Sequence, residues 1–311
     1  MKTINDAILP LKFQWPWAFS RVSVRSRSYG GIRAIRSVMM RLCALSLGLS
    51  LALLRTLAFL FIAALAVADA IVTRIVAVPT GVGLAHARAK WLHRWSRAAL
   101  MVIWVRLEQR GVMPPSGIIT ARYSFFFDAI LLASIRPCVF VAGAEVRRWP
   151  ALGLLAQLGG TVFVNPRRRN DLARVNFLIG RALRRRLPVI IFHECGNPAG
   201  SLLRPFASAL LQPAVELRCS LTAAGFAHQT LRDGESAPIG FSHKGGLLGQ
   251  FAQLVGRWRP LAIAAFHGPV FHHGDRKQLA SQLRIETREL IRRISTPDGM
   301  GRHAKTAHGG N

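Results

Sequence analysis

Residues 42–68 are apolar or small except for one charge, Arg55, and the run closes at Asp69 and Arg74. As a single helix this stretch is roughly 40 Å long, enough to span a bilayer with some tilt. An arginine near the middle costs about 2.5–3.5 kcal/mol on insertion scales, which the surrounding Leu, Ile and Phe can offset. Arg41, Arg55 and Asp69 recur at intervals of about four helical turns, so a straight helix places all three on one face, turned away from lipid.

Downstream the period changes. Trp91, Leu92, Trp95, Ala99, Val102 and Ile103 recur at helical spacing with Arg94 and Arg97 among the polar positions, which predicts an amphipathic helix over 90–105. Beyond Pro114 and Pro115, short β-like runs at 118–119, 139–141, 161–164, 189–192, 221–227 and 261–266 alternate with helical patterns at 125–133, 151–158, 171–186, 207–217 and 276–294. Such alternation predicts an α/β domain, a mixed sheet covered by helices. An N-terminal membrane-embedded helix or helical hairpin precedes it. The boundaries follow: a basic arm at 1–40, a membrane anchor at 41–75, the α/β domain at 76–295 and a disordered tail at 296–311.

Charge adds a partner class. Against 14 Asp and Glu stand 42 Lys and Arg, a formal charge of +28. That excess suits anionic lipid headgroups, phosphates or acidic carrier proteins, although a generally arginine-rich composition gives the same count. No nucleic-acid motif or aromatic platform accompanies it. Basic residues flank the apolar run on both sides, Arg21 to Arg41 before and Arg74 to Arg97 after, so the positive-inside rule selects no orientation for a single span. A re-entrant or interfacial pair, with both flanks on one side, satisfies the same pattern and is slightly favoured. Arg55, the apolar run after it and Ala66-Val67-Ala68 also imitate the three regions of a signal peptide, but the more than fifty residues before that run argue against secretion, an objection that a start at Met39 or Met40 weakens. Cys43, Cys138, Cys195 and Cys219 show no disulfide or zinc spacing, and a domain in a reducing compartment is expected, with no metal.

Several short blocks occur in a telling order. Tyr123-Ser-Phe-Phe-Phe-Asp128 follows the first predicted strand of the domain. Phe140-Val-Ala-Gly-Ala-Glu-Val146 comes next with Trp149 and Pro150, then Gly160-Thr-Val-Phe-Val-Asn165, Phe192-His-Glu-Cys-Gly-Asn197 and Leu202-Leu-Arg-Pro-Phe206. Over about two thirds of the chain this order resembles the glycerol-phosphate and lysophospholipid acyltransferase family, particularly its bacterial membrane-bound branch. In that family the first block is His-x4-Asp. Here Asp128 matches, and Tyr123 stands where the histidine belongs. Asn165-Pro166 replaces Asp-Arg, with Arg167 one residue late, and the Phe-Pro-Glu-Gly-Thr block keeps only Phe192 and Glu194.

The resemblance implies acyl transfer from acyl-CoA or acyl-carrier protein, as co-substrate, to a lysolipid hydroxyl at the cytoplasmic face of the inner membrane, with no further cofactor. It implies a base near Asp128. Tyr123 is a poor one, because a reference pKa near 10 leaves roughly one part in a thousand as phenolate at neutral pH. Arg122 supplies a field that lowers it and Asp128 one that raises it. His193, where the family has proline, is a candidate relocated base, whereas a nucleophilic Cys195 beside it is a weaker one. Glu194, Gly196 and Asn197 lie in the block that the family brings beside the catalytic pair to hold the acceptor's phosphate. Arg167, after a strand, and Arg204, after that block, are candidate contacts for a phosphate, an acyl-carrier protein or the headgroup layer, or else a solvated charge run. Two readings remain: an acyltransferase, impaired or not, and a catalytically inactive homologue that binds lipid or serves as an interaction subunit.

Overall fold

The computed structural model describes residues 30–77, 83–122, 127–149, 151–165, 168–193, 208–232, 235–238, 249, 251–252, 254, 260–268 and 275–295. It opens with two helices, α1 (Gly30–Ala77) and α2 (Leu84–Ile103). They are followed by β1 (Arg106–Arg110), β2 (Ile118–Arg122), α3 (Phe127–Ile135), β3 (Val139–Gly143), a 3-10 turn (Ala144–Arg148), α4 (Leu152–Leu158) and β4 (Val162–Val164). Then come α5 (Arg169–Arg184), β5 (Val189–His193), α6 (Gln212–Glu216), β6 (Leu221–Arg232), β7 (Glu235–Pro238), β8 (Pro260–Phe266) and α7 (Arg276–Ser295). Every β-like run of the sequence contains or adjoins a strand, so the mixed α/β class holds. The helix expected over 207–217 is interrupted: residues 208–209 are helical, 210–211 form a turn, and α6 follows at Gln212–Glu216.

The eight strands form one sheet in the order β1-β8-β6-β2-β5-β3-β4, with β7 paired to β6. Pairing is parallel from β6 through β2, β5 and β3 to β4. It is antiparallel where β6 meets β8 and β7, and parallel again between β8 and β1. Gly117 positions β2 between two neighbours. Its φ of +105° suits glycine, and a Cβ there would collide with the carbonyl oxygen of Ser220. That same oxygen accepts the Ile118 N–H at 3.0 Å, while the Gly117 carbonyl accepts the Val189 N–H at 2.9 Å.

Period-two alternation sorts the strands between two apolar layers. Ile118, Val139, Val189, Ile191, Leu221 and Ala223 pack with Val175 and Ile179 of α5 and with Leu279 and Leu283 of α7. Ile119, Ala121, Phe140, Ile190, Ala224 and Phe226 pack with Ile103 of α2 and with Phe127, Leu131 and Leu132 of α3.

α1 has 48 residues, roughly 70 Å, more than twice a bilayer's hydrocarbon thickness of about 30 Å. Among the described residues one helical stretch, Leu49–Val76, is long and apolar enough to cross a membrane. It does not stand clear of the domain. Ala66 and Ala70 pack on Trp91 of α2 and Leu158 of α4, and Trp91 donates its indole N–H to the Ala66 carbonyl at 3.0 Å. Asp69 accepts from Arg94 and from the Trp95 indole. Arg55 is buried, its guanidinium 5.8 Å from the Trp104 ring centroid, and Phe59 meets Phe251. Arg55 and Asp69 thus both turn towards protein, as their spacing predicts; the Arg41 side chain lies outside the described set. Leu49, Leu53, Leu57, Leu60, Phe61 and Ile75 are among the exposed residues of α1.

Candidate active site

α3 rises from the C-terminal end of β2, and its first turn carries Asp128. There the positive end of the helix dipole favours an anion by a few tenths to about 1 kcal/mol. Burial of the side chain is complete. A carboxylate removed from water needs hydrogen-bond donors, and one comes from the opposite end of the domain's sequence. His228 Nε2 lies 2.7 Å from Asp128 Oδ1. An ionised carboxylate only accepts, so Nε2 is the donor.

His228 reaches this point because β6 outruns β2. The two are paired from Ile118 opposite Leu221 to Ala121 opposite Ala224, and β6 then continues to Arg232. Alternate residues share a face, so His228 follows Ala224 and Phe226 onto the side of the sheet covered by α2 and α3. The imidazole therefore stands past the last β2 pairing, over the first turn of α3, with 8% of its side chain exposed. This is the C-terminal edge of the parallel strands, where open α/β sheets bind their ligands.

Of the residues singled out in the sequence, Asp128 is at this edge. The backbone of His193 is there too, ending β5 opposite Arg122 of β2. The His193 side chain, and the whole of Tyr123, Arg167, Glu194, Cys195, Gly196, Asn197 and Arg204, lie outside the described residues. Sequence reasoning missed His228. The predicted strand stops at Ala227, one residue short, and the pairing spans 100 positions. The available signal was the face shared by Thr222, Ala224, Phe226 and His228, an inward pattern that ends on an ionisable residue.

A second anchored carboxylate supports the basic turn after β4. Asp171, in the first turn of α5, accepts the Asn165 N–H at 2.6 Å and Arg174 Nε at 2.8 Å. These bonds, the backbone one foremost, hold its carboxyl below the usual range. Arg174 also donates to the Phe163 carbonyl, tying the start of α5 to β4. Cys138 is buried, and burial pushes its thiol far up, which leaves it unreactive. Among the described residues no group of three or more His, Cys, Asp or Glu is placed to hold a metal ion.

Residues 115–226 match the family model described as Acyltransferase. The chain is 29% identical to the 1-acyl-sn-glycerol-3-phosphate acyltransferase of Neisseria meningitidis, over 45% of this chain and 56% of that protein. It is 28% identical to the lyso-ornithine lipid O-acyltransferase of Pseudomonas aeruginosa, over 57% of this chain and 68% of that one. The crystal structure of the 1-acyl-sn-glycerophosphate acyltransferase from Thermotoga maritima aligns with a TM-score of 0.47 at 17% identity, covering 76% of this chain and 95% of that chain. The chain thus spans little more than half the length of the Neisseria relative. The stretch from residue 115 to residue 226, which runs from just before β2 into the first half of β6, is thus similar to the acyltransferase family.

Proposed function

We propose that the protein transfers an acyl group from an acyl thioester, carried by CoA or acyl-carrier protein, to the free hydroxyl of a lysolipid. The observation that carries this reading is Asp128: it occupies the family's motif position, is fully buried and is hydrogen-bonded to an imidazole at the ligand-binding edge of the sheet. A carboxylate that orients an imidazole is the part of a proton-transfer pair that the chemistry requires. The named relatives act on lysolipids with either a glycerol-phosphate or an ornithine head, and a free lysolipid hydroxyl is common to both.

The substrate is lipid-borne, and the site is brought to the membrane by α1. Between Phe59 and Ala70 this helix is packed against protein, so that length is not ringed by lipid. Its exposed Leu and Phe residues suit shallow burial, one face in the acyl layer, with Lys90 and Arg97 of α2 exposed nearby for anionic headgroups. This favours an interfacial or re-entrant anchor over a simple span. We set the domain on the cytoplasmic face of the inner membrane, because acyl thioesters, the donors it requires, are made on that side.

Isolated membranes containing the full chain, given labelled acyl-CoA and either lysophosphatidate or lyso-ornithine lipid, are expected to form the diacylated product. Asp128→Ala is expected to abolish that product. Lysolipid binding without turnover, equal in wild type and Asp128→Ala, would establish the inactive lipid-binding reading instead.

A further inference from the structure

We propose that His228 is the general base of this site and that the role usually held by the residue at position 123 has passed to a different strand. The inference rests on the acyl-transfer reading above. It starts from a mismatch: the carboxylate of the family's dyad is present, but the side chain five positions before it is a phenol. Asp128 nevertheless has an imidazole partner at 2.7 Å, and that partner lies two residues beyond the segment matched by the family model.

The geometry makes the substitution feasible. β6 is the direct neighbour of β2, so a side chain on β6 beyond Ala224 approaches the start of α3 from the adjacent strand. With Nε2–H donated to Asp128, the basic lone pair is on Nδ1, and the carboxylate stabilises the imidazolium that forms when this nitrogen accepts a proton. The near-complete burial of both side chains, 8% and 0% exposed, shields that charge pair from bulk water and strengthens it.

The step balances without further groups. Nδ1 removes the proton of the lysolipid hydroxyl as its oxygen attacks the thioester carbonyl carbon, and the carbonyl π pair moves to oxygen. As the tetrahedral intermediate collapses, the carbon–sulfur bond breaks. The departing sulfur takes the proton back from Nδ1, leaving an ester, a free thiol and a neutral imidazole.

The test uses the full-length protein in native membranes and compares wild type, His228→Gln, His228→Ala and the double variant Tyr123→His with His228→Ala. Glutamine keeps an amide N–H for Asp128 and cannot act as a base. His228→Gln is therefore expected to retain the wild-type unfolding temperature and to lose at least about 100-fold in kcat, in line with general-base contributions of roughly 10²–10⁴. Either the double variant or added imidazole with His228→Ala is expected to recover a measurable part of that loss. A fully active His228→Gln overturns the assignment and leaves the acyltransferase reading intact. Loss of activity with no recovery in either arm also overturns it, because His228 is then structural. No acyl transfer by wild type, with any lysolipid and thioester tried, removes both.

Discussion

Trp91 of α2 donates its indole N–H to the Ala66 carbonyl of α1 at 3.0 Å, across 25 positions. The ring is 2% exposed and packs on Ala66 and Ala70, so it is the peg on which the apolar helix hangs. Trp91→Phe removes the hydrogen bond and keeps most of the packing, at a cost of about 1 kcal/mol. Trp91→Ala leaves a cavity as well and is expected to cost about 3–5 kcal/mol. Thermal unfolding in mild detergent checks both. A smaller loss for Ala than for Phe would contradict this account of the seam.

Gly117 combines a left-handed φ with the close approach of Ser220. Gly117→Ala is expected to destabilise by at least about 2 kcal/mol, since both backbone strain and displacement of the β2–β6 pairing contribute. At Gly249, a helical position, an added methyl would meet no atom within 4 Å and φ is not left-handed, so Gly249→Ala is the unstrained comparison in the same melts and is expected to stabilise by about 0.4–1 kcal/mol.

Asp171 links stability to pH. Its folded pKa lies below the unfolded value of about 3.9 because the Asn165 N–H and Arg174 bind the charged form. The stabilisation is therefore complete above the unfolded pKa and is lost as pH falls through the folded one. Asp171→Asn is expected to lower stability by about 1 kcal/mol at pH 7, and the difference from wild type is expected to shrink steadily below pH about 4. A difference independent of pH between 7 and 3 would mean that the charge contributes nothing.

Asp128→Asn keeps the size of the side chain at the start of α3 and removes its charge. Acyl transfer is expected to fall by at least about 100-fold while the KM for the lysolipid changes by less than about threefold, because the carboxylate stabilises a charge that develops during reaction. A raised KM with unchanged kcat would instead assign Asp128 to substrate binding.

Much of this was legible in the sequence, for identifiable reasons. The inner strands carry dense apolar runs such as Val189 to Phe192, and Arg55 and Asp69 betrayed their common face by spacing alone. β1 was not legible. Its five residues, Arg-Leu-Glu-Gln-Arg, form an edge strand that buries little, and an edge needs no apolar pattern to be paired. The short β7 was missed likewise. The His228–Asp128 pair depends on the register of β6 against β2, a three-dimensional fact; the inward face of Thr222, Ala224 and Phe226 marks His228 but does not name its partner. Period two gives the face of a strand and not its length, and here the length of β6 brings the imidazole to the site.

The placement of β1 also sets an order of assembly. α1 and α2 are consecutive and dock on each other, so this helical hairpin can form while the rest of the chain is still being synthesised. β1 follows immediately, yet its partner in the sheet is β8, with Arg106 opposite Leu261. A strand made early must wait, unpaired, for one made near the end, and long-range pairing of this kind is the slow part of folding. On the membrane-anchored reading proposed above, the nascent chain is held at the bilayer during that interval, and tethering keeps its open edge from meeting other chains freely.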